Sequence, residues 1–180
     1  DAMAVREAEL AIHRRVDASE EAILVTQSNL ASTYACLGRF EHASRMQRFV
    51  YSGRLKLIGE EHEETLIAAS NYANSLVRLE RFKEAKSLLR KTMPVARRVL
   101  GESDSTTLRM RWNYAVALYR DPDASLDDLH KAVTTLEEIQ RTARRVFGGQ
   151  HPTTTGIEGD LQTARAALRA REAPPTPPES

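Results

Sequence analysis

The chain has 180 residues, of which 41% are hydrophobic and 28% charged, and its formal net charge at pH 7 is +1. So small a charge offers no extended positive field for nucleic acid, and no apolar run approaches the roughly 20 residues that a membrane-spanning helix needs. There is no signal-peptide pattern, and one cysteine cannot form an internal disulfide. We therefore expect an intracellular protein, cytoplasmic by default, that binds no nucleic acid and does not insert into a membrane. An organelle import sequence would lie outside these residues.

The sequence repeats itself with a period of 42 residues. Asn29, Asn71 and Asn113 recur at that interval, and alanine, phenylalanine and glycine residues keep the same phase in the first two repeats. The third repeat is five residues longer, and the insertion at 121–125 has the composition of a turn. We predict a helical-repeat domain over 1–171 and a proline-rich disordered tail over 172–180. The domain divides into a half repeat, three repeats and a terminal helix, which are 1–18, 19–60, 61–102, 103–149 and 150–171.

Each repeat has the pattern of a helical hairpin. Over residues 85–100 the apolar side chains recur at the spacing of one buried stripe on an α-helix. Gly38 ends the first helix of the first hairpin, and further glycines end the second helices. Ser125 and Asp128 have the spacing of a capping box, and Pro94 predicts a kink inside a second helix. The sequence therefore predicts an all-α fold of about eight helices in antiparallel succession.

The motif Asn-Leu-Ala-x-x-Tyr-x-x-x-Gly-Arg-Phe-x-x-Ala at 29–43 resembles the tetratricopeptide repeat. The period of 42, with Gly-Gly-Gln-His-Pro-Thr-Thr at 148–154, is similar to the longer repeats of kinesin light chains. The resemblance covers roughly residues 5 to 165. It implies a right-handed α-solenoid of antiparallel helix pairs, and a protein that works by binding another protein.

Several positions depart from that pattern. Glu80 stands where the turn glycine is expected, and Gln47 stands where the other repeats have leucine. In the last repeat Asp160 replaces the asparagine, while Gly156 and Gly159 weaken the start of the helix. We therefore expect the last helix to be a terminal cap.

The sequence offers little for catalysis or metal binding. The histidines are not spaced with cysteine or carboxylates as metal ligands are, and His62 and His151 lie where helix-start capping is expected. Cys36 has no histidine at an equivalent neighbouring position to activate it. Each glycine is accounted for by a helix end instead of a phosphate loop. We therefore predict no enzymatic activity, no metal site and no cofactor.

In tetratricopeptide stacks the first helices line a concave groove. By that resemblance the groove here contains Asn29, Ser32, Asn71, Asn74, Arg78, Arg109, Asn113 and Arg120. A side-chain amide both donates and accepts, so a column of three asparagines can hold the backbone of an extended peptide. The same amides can instead tie neighbouring helices together or bind water. The arginines favour an acidic segment, while Trp112 and Tyr119 are either aromatic anchors or core residues.

Two functions from different classes fit these observations. The first is a protein–protein interaction module whose concave groove holds an extended segment of a partner protein. The alternative is a structural scaffold subunit of a larger assembly, with the groove unused or filled by a neighbouring subunit. The sequence carries no signal that sets the oligomeric state.

Overall fold

A computed structural model describes residues 2–15 and 19–173. Over these residues the chain forms eight α-helices and no strand, and the predicted tail beyond residue 173 lies outside them. The helices are α1 (Ala2–Arg15), α2 (Glu20–Cys36), α3 (Phe40–Ile58), α4 (Glu63–Arg78), α5 (Phe82–Val99), α6 (Ser105–Tyr119), α7 (Leu126–Phe147) and α8 (Pro152–Glu172). The fold is the predicted all-α, right-handed solenoid.

Each helix packs against the next along the chain, and short connections make neighbours antiparallel. The helix α6 also packs on both α4 and α8, whereas α3, α5 and α7 do not pack closely among themselves in the described part of the chain. Because elements lie closest on the inside of a curve, α4, α6 and α8 form the concave surface. With α2, the first helix of the hairpin before them, they make up what we call the inner face. The helices α3, α5 and α7 form the opposite surface, the outer face.

A side chain caps the start of each helix of the inner face. Ser19 Oγ accepts from the Ala22 amide at 3.2 Å, and Asp104 Oδ1 accepts from the Thr106 amide at 2.7 Å. The ring Nδ1 of His62 accepts from the Glu64 amide at 3.3 Å, and that of His151 accepts similarly. The predicted capping by both histidines is confirmed.

The turn inside a hairpin keeps its shape even where its glycine is lost. Gly38 has φ +72°, and Glu80, at the same place in the next repeat, has φ +58°. The amides of Gly38 and Glu80 each donate to the carbonyl three residues back, at 3.1 Å. Glu80 therefore holds a left-handed conformation that costs a non-glycine residue about 1 kcal/mol, and the backbone hydrogen bonds of the turn keep it there.

The core follows the predicted stripes. Ala43 and Ala85 have no exposed surface, in agreement with their assignment to the tight contact within each hairpin. The helix α5 continues through Pro94, which is exposed and has no amide for the Arg90 carbonyl. The kink remains a prediction.

Gln47 stands where the other repeats have leucine, and it makes a polar contact there. It is 7% exposed, and its Oε1 accepts from the hydroxyl of Ser75, which is 1% exposed, at 2.6 Å. The two residues lie on α3 and α4. A buried amide is therefore satisfied across a helix interface instead of being excluded from it.

The five-residue insertion of the third repeat is held on both sides. Asp121 is 6% exposed and pairs with Lys86 at 2.8 Å, and the guanidinium of Arg171 donates to the Ala124 carbonyl at 2.8 Å. The insertion then runs into α7 through the predicted capping box, in which the hydroxyl of Ser125 and the carboxylate of Asp128 each accept from the other's amide. The insertion is therefore packed against the rest of the fold.

We expect Ser75→Ala to destabilise the domain by about 1 to 3 kcal/mol, because it leaves the buried Gln47 carbonyl without a donor. In a Gln47→Leu background the same substitution should cost much less, since leucine needs no donor. Urea unfolding of the wild type, the two single variants and the double variant measures the coupling free energy between Gln47 and Ser75. An equal cost of Ser75→Ala in both backgrounds would contradict the account.

A second prediction concerns pH. The Lys86 ammonium holds the pKa of the Asp121 carboxyl below its usual value. A folded-state pKa below the unfolded one gives stability that is present above about pH 4 and is lost as the pH falls through the folded pKa.

We expect Asp121→Asn to lower the free energy of unfolding at pH 7 by about 1 to 3 kcal/mol and to flatten its decline below about pH 4. Asp123→Asn is the matched control, because its partner Lys83 is exposed. Thermal unfolding between neutral and acidic pH distinguishes the two variants. An unchanged acid profile in Asp121→Asn would show that Asp121 does not stabilise the insertion.

Candidate functional site

A cavity of about 340 Å³ opens on the inner face between α4, α6 and α8. We call it the inner cavity. Five of the eight residues predicted to form the groove line it, namely Asn74, Arg78, Arg109, Asn113 and Arg120. Asn29, Ser32 and Asn71 do not line it, and their place in a groove remains a prediction. The C-terminal half of the inner face is therefore the part that is shaped to enclose a ligand.

The three register asparagines differ in their surroundings. Asn29 is exposed, Asn71 is half-buried, and Asn113 is 7% exposed. Burial increases along the stack because α6 packs against both α4 and α8. Nδ2 of Asn113 is buried and has no hydrogen-bond partner among the described residues. Such a donor costs free energy unless something accepts from it.

On α2 and α4 the predicted groove residues lie closer to solvent. Ser32 is exposed, and its hydroxyl donates to the Ser28 carbonyl one turn back at 3.0 Å. The amide side chain of Asn71 makes no hydrogen bond to another described residue. Asn71 therefore does not form the predicted alternative contact, a tie between neighbouring helices, within the described chain.

Arginines form the rim of the inner cavity. The guanidinium carbon of Arg78 lies 5.9 Å from the centre of the Phe40 ring, and Arg120 repeats this contact on Phe82 at 5.9 Å. Arg120 also lies 3.5 Å from the Glu80 carboxylate. Cation–π contacts of this kind position a guanidinium without neutralising its charge.

The charge of that rim is only partly compensated. Arg78 and Arg109 are exposed and form no ion pair with the described residues. The rim therefore has two uncompensated positive charges, and it attracts anionic groups.

Trp112 and Tyr119 hold the last helix in place. The indole Nε1 of Trp112 donates to Oδ2 of Asp160 at 2.6 Å, and the Tyr119 hydroxyl donates to Oδ1. Burial, together with this contact, raises the pKa of Tyr119 well above its usual value. A carboxylate at 160 accepts from two donors at once, which explains why asparagine is absent there. Tyr119 is a core residue, whereas Trp112 is half-buried and lines the inner cavity.

Gly156 makes room for the same tryptophan. A Cβ at this position would lie 2.5 Å from Cη2 of Trp112, well inside contact distance. The glycine that weakens the helix start in the sequence is therefore required for the close approach of α8 to the indole.

Sequence reasoning missed six of the residues that line the inner cavity, only one of which, Asp160, shares the register of the asparagines. These residues are Val77, Ser105, Val116, Phe147, Thr153 and Asp160. The register identified first-helix positions only. Phe147 ends α7, and Thr153 lies in the first turn of α8. Whether these side chains reach the cavity depends on how α8 packs. The sequence showed no pattern for that packing apart from Gly156 and Asp160, which depart from the repeat.

We next searched the described residues for metal sites, membrane-spanning helices and reactive cysteines. No group of histidine, cysteine, aspartate or glutamate among them is arranged to hold a metal ion. Of the helices in that part of the chain, none combines the length and the apolar character needed to cross a membrane. Cys36 is exposed at the end of α2.

Comparison with known proteins agrees with the fold. Residues 19–98 match the sequence model of the tetratricopeptide repeat. No curated protein sequence matches this one significantly. Two crystal structures of a kinesin-light-chain-like protein from Podosopora anserina with nearly identical TPR-like repeats are similar, one of them a variant. Both are 21% identical, cover 95% of this chain and 79% of their own, and have TM-scores of 0.75 and 0.72.

The crystal structure of BtubC (BKLC) from P. vanneervenii is also similar, with 19% identity, a TM-score of 0.61, and coverage of 91% of this chain and 70% of that one. At such identities the likeness concerns the fold alone. Residues 19–98 therefore match the tetratricopeptide repeat in sequence, and the described chain has the solenoid fold of kinesin-light-chain-type repeats.

Proposed function

We propose that this domain is a peptide receptor whose inner face holds an extended segment of a partner protein. Tetratricopeptide repeats are protein–protein interaction modules in general, and the finer assignment concerns where and how this one binds. The observation that carries it is the Asn113 amide, a buried donor without a partner that lines the inner cavity. A backbone carbonyl of a bound peptide is the acceptor that it lacks.

The size of the inner cavity suits a peptide better than a compact ligand. A volume of about 340 Å³ lies at the lower end of the range for small-molecule pockets. Asn71 lies on α4 outside this cavity, and we propose that its amide extends the binding surface. An extended strand that places one carbonyl at Asn113 continues along α4 towards Asn71. The contact with Asn113 fixes its position, and further amide contacts add affinity that is independent of sequence.

Charge selects the peptide. The guanidinium groups of Arg78 and Arg109 lack carboxylate partners among the described residues, and Arg120 shares only an exposed contact with Glu80. A segment carrying aspartate or glutamate supplies the missing carboxylates. The preferred partner is therefore acidic, and its binding weakens as salt increases.

One observation favours the alternative, a scaffold subunit. Val5 is 66% exposed and Ile12 is 56% exposed, and the two lie two turns apart on the same face of α1. Such a face suits contact with another subunit. It lies away from the inner cavity, however, and it leaves the unpaired amide of Asn113 unexplained.

We expect Asn113→Ala and Asn71→Ala to weaken peptide binding at least several-fold while changing the free energy of unfolding by less than about 1 kcal/mol, because neither amide loses a partner within the described chain. The probes are acidic peptides selected on the wild-type domain from a phage-displayed library. Fluorescence anisotropy measures their affinity, and urea unfolding measures stability.

Arg109→Ala tests the charge, and Arg141→Ala is its matched control, since Arg141 is an exposed arginine of α7 without an ion pair among the described residues. Only Arg109→Ala should weaken binding. A domain that selects no peptide, or an Asn71→Ala variant that melts many degrees lower yet binds as wild type, would overturn the proposal in favour of the scaffold.

A further inference from the structure

A second cavity, of about 510 Å³, opens on the outer face between α3 and α5, with α4 at its base. We call it the outer cleft. Tyr51 and Tyr72 line it together with apolar side chains, and so do Glu60, Glu84 and Lys91. Glu84 is paired with Arg81 at 2.7 Å. Neither Glu60 nor Lys91 forms an ion pair with another described residue. Glu60 is therefore a carboxylate of the outer cleft that has no ion-pair partner among the described residues.

The neighbouring pair of outer helices, α5 and α7, provides an internal comparison. Glu102 holds the position of Glu60 in the next repeat, and it pairs with both Arg97 and Arg111. Arg111 lies 3.2 Å from Glu102, pairs also with Glu138 of α7, and keeps only 12% of its side chain exposed. In that repeat an arginine side chain is enclosed between two carboxylates.

In the outer cleft the carboxylate is kept and its arginines are lost. The register places Leu55 where the next repeat has Arg97, and Ala69 where it has Arg111. Lys91 takes the place of Glu138. Compared with its neighbour, this cleft lacks the guanidinium that would compensate Glu60.

An unpartnered hydroxyl lines the same space. Thr65, Thr107 and Thr154 share one register position, and the last two donate to the carbonyls of Ala96 at 3.4 Å and Gly148 at 2.8 Å. Thr65 is 1% exposed, lines the outer cleft, and its Oγ1 has no partner among the described residues. This buried polar atom is a second sign, independent of Glu60, that the outer cleft takes a ligand.

We propose that the outer cleft binds an arginine side chain of a partner protein, with the guanidinium on the Glu60 carboxylate and against the rings of Tyr51 and Tyr72. Arginine fits because its planar fork matches a carboxylate and stacks on aromatic rings. The neighbouring repeat uses arginine for this purpose within its own chain. The site is separate from the inner cavity, whose rim is positive and repels the same ligand.

The electrostatics of the outer cleft keep its aromatic surface neutral. Burial raises the pKa of Tyr51, and the negative charge of Glu60 raises it further. The ring therefore remains an uncharged phenol at neutral pH. Lys91 opposes a bound cation and limits its affinity, so replacing Lys91 should strengthen binding.

The test uses N-acetyl-arginine methylamide as a probe in a titration followed by two-dimensional amide NMR of the wild-type chain. We expect saturable shifts around Tyr51, Tyr72 and Glu60, with a Kd on the order of millimolar for a ligand of this size. Glu60→Gln should raise that Kd at least tenfold. Glu63→Gln is the matched control, because Glu63 is an exposed carboxylate outside the outer cleft.

Two further variants test the comparison between repeats. Lys91→Glu supplies the carboxylate that Glu138 provides in the next repeat and should lower the Kd several-fold, whereas Leu55→Arg supplies a competing guanidinium within the chain and should raise it. Leu55 is 38% exposed, so the longer side chain fits without repacking the core.

Equal shifts with N-acetyl-citrulline methylamide, which lacks the charge, would overturn the proposal. So would unchanged affinity in Glu60→Gln, equal binding of the corresponding lysine probe, or no saturable shift at the outer cleft. These results leave peptide binding at Asn113 untouched, because the two sites lie on opposite faces and use different probes.

Discussion

The structure depends on close contact between helices at positions that hold alanine. Ala43, Ala85 and Ala132 occupy the same register in successive repeats, and none has exposed surface. A methyl group lets two backbones approach, so that larger apolar residues beside it, such as Leu76, can pack fully. The three alanines lie on α3, α5 and α7, so the same contact turns the same side of each of these helices inward and leaves the opposite side on the outer face.

The sequence predicted what is local or periodic. Helix starts at His62 and His151 and the box between Ser125 and Asp128 follow from hydrogen bonds within one turn, so they can be predicted without a structure. Five groove residues line one cavity because the register of the first helices determines the direction of their side chains.

What the sequence did not show are contacts between repeats. Asp160 stood out as a departure, but its donors Trp112 and Tyr119 lie more than 40 residues away. The pairing of Gln47 with Ser75, and the lack of an arginine partner for Glu60, likewise depend on which side chain lies at the facing position. The periodic pattern therefore determines the fold, while the positions that depart from it distinguish the two candidate sites. The inner face has arginines without carboxylates, and the outer cleft has a carboxylate without arginine.

The central claim is that a peptide lies along the inner face. Paramagnetic relaxation enhancement tests it most directly, with a spin label at one end of a selected acidic peptide and amide signals read along the whole chain. The account predicts the strongest signal loss at inner-face residues of α4, α6 and α8, around Asn74 and Asn113, and weaker loss on α3, α5 and α7, which lie behind them. Loss of signal centred on the outer face, or spread evenly over the surface, would contradict it.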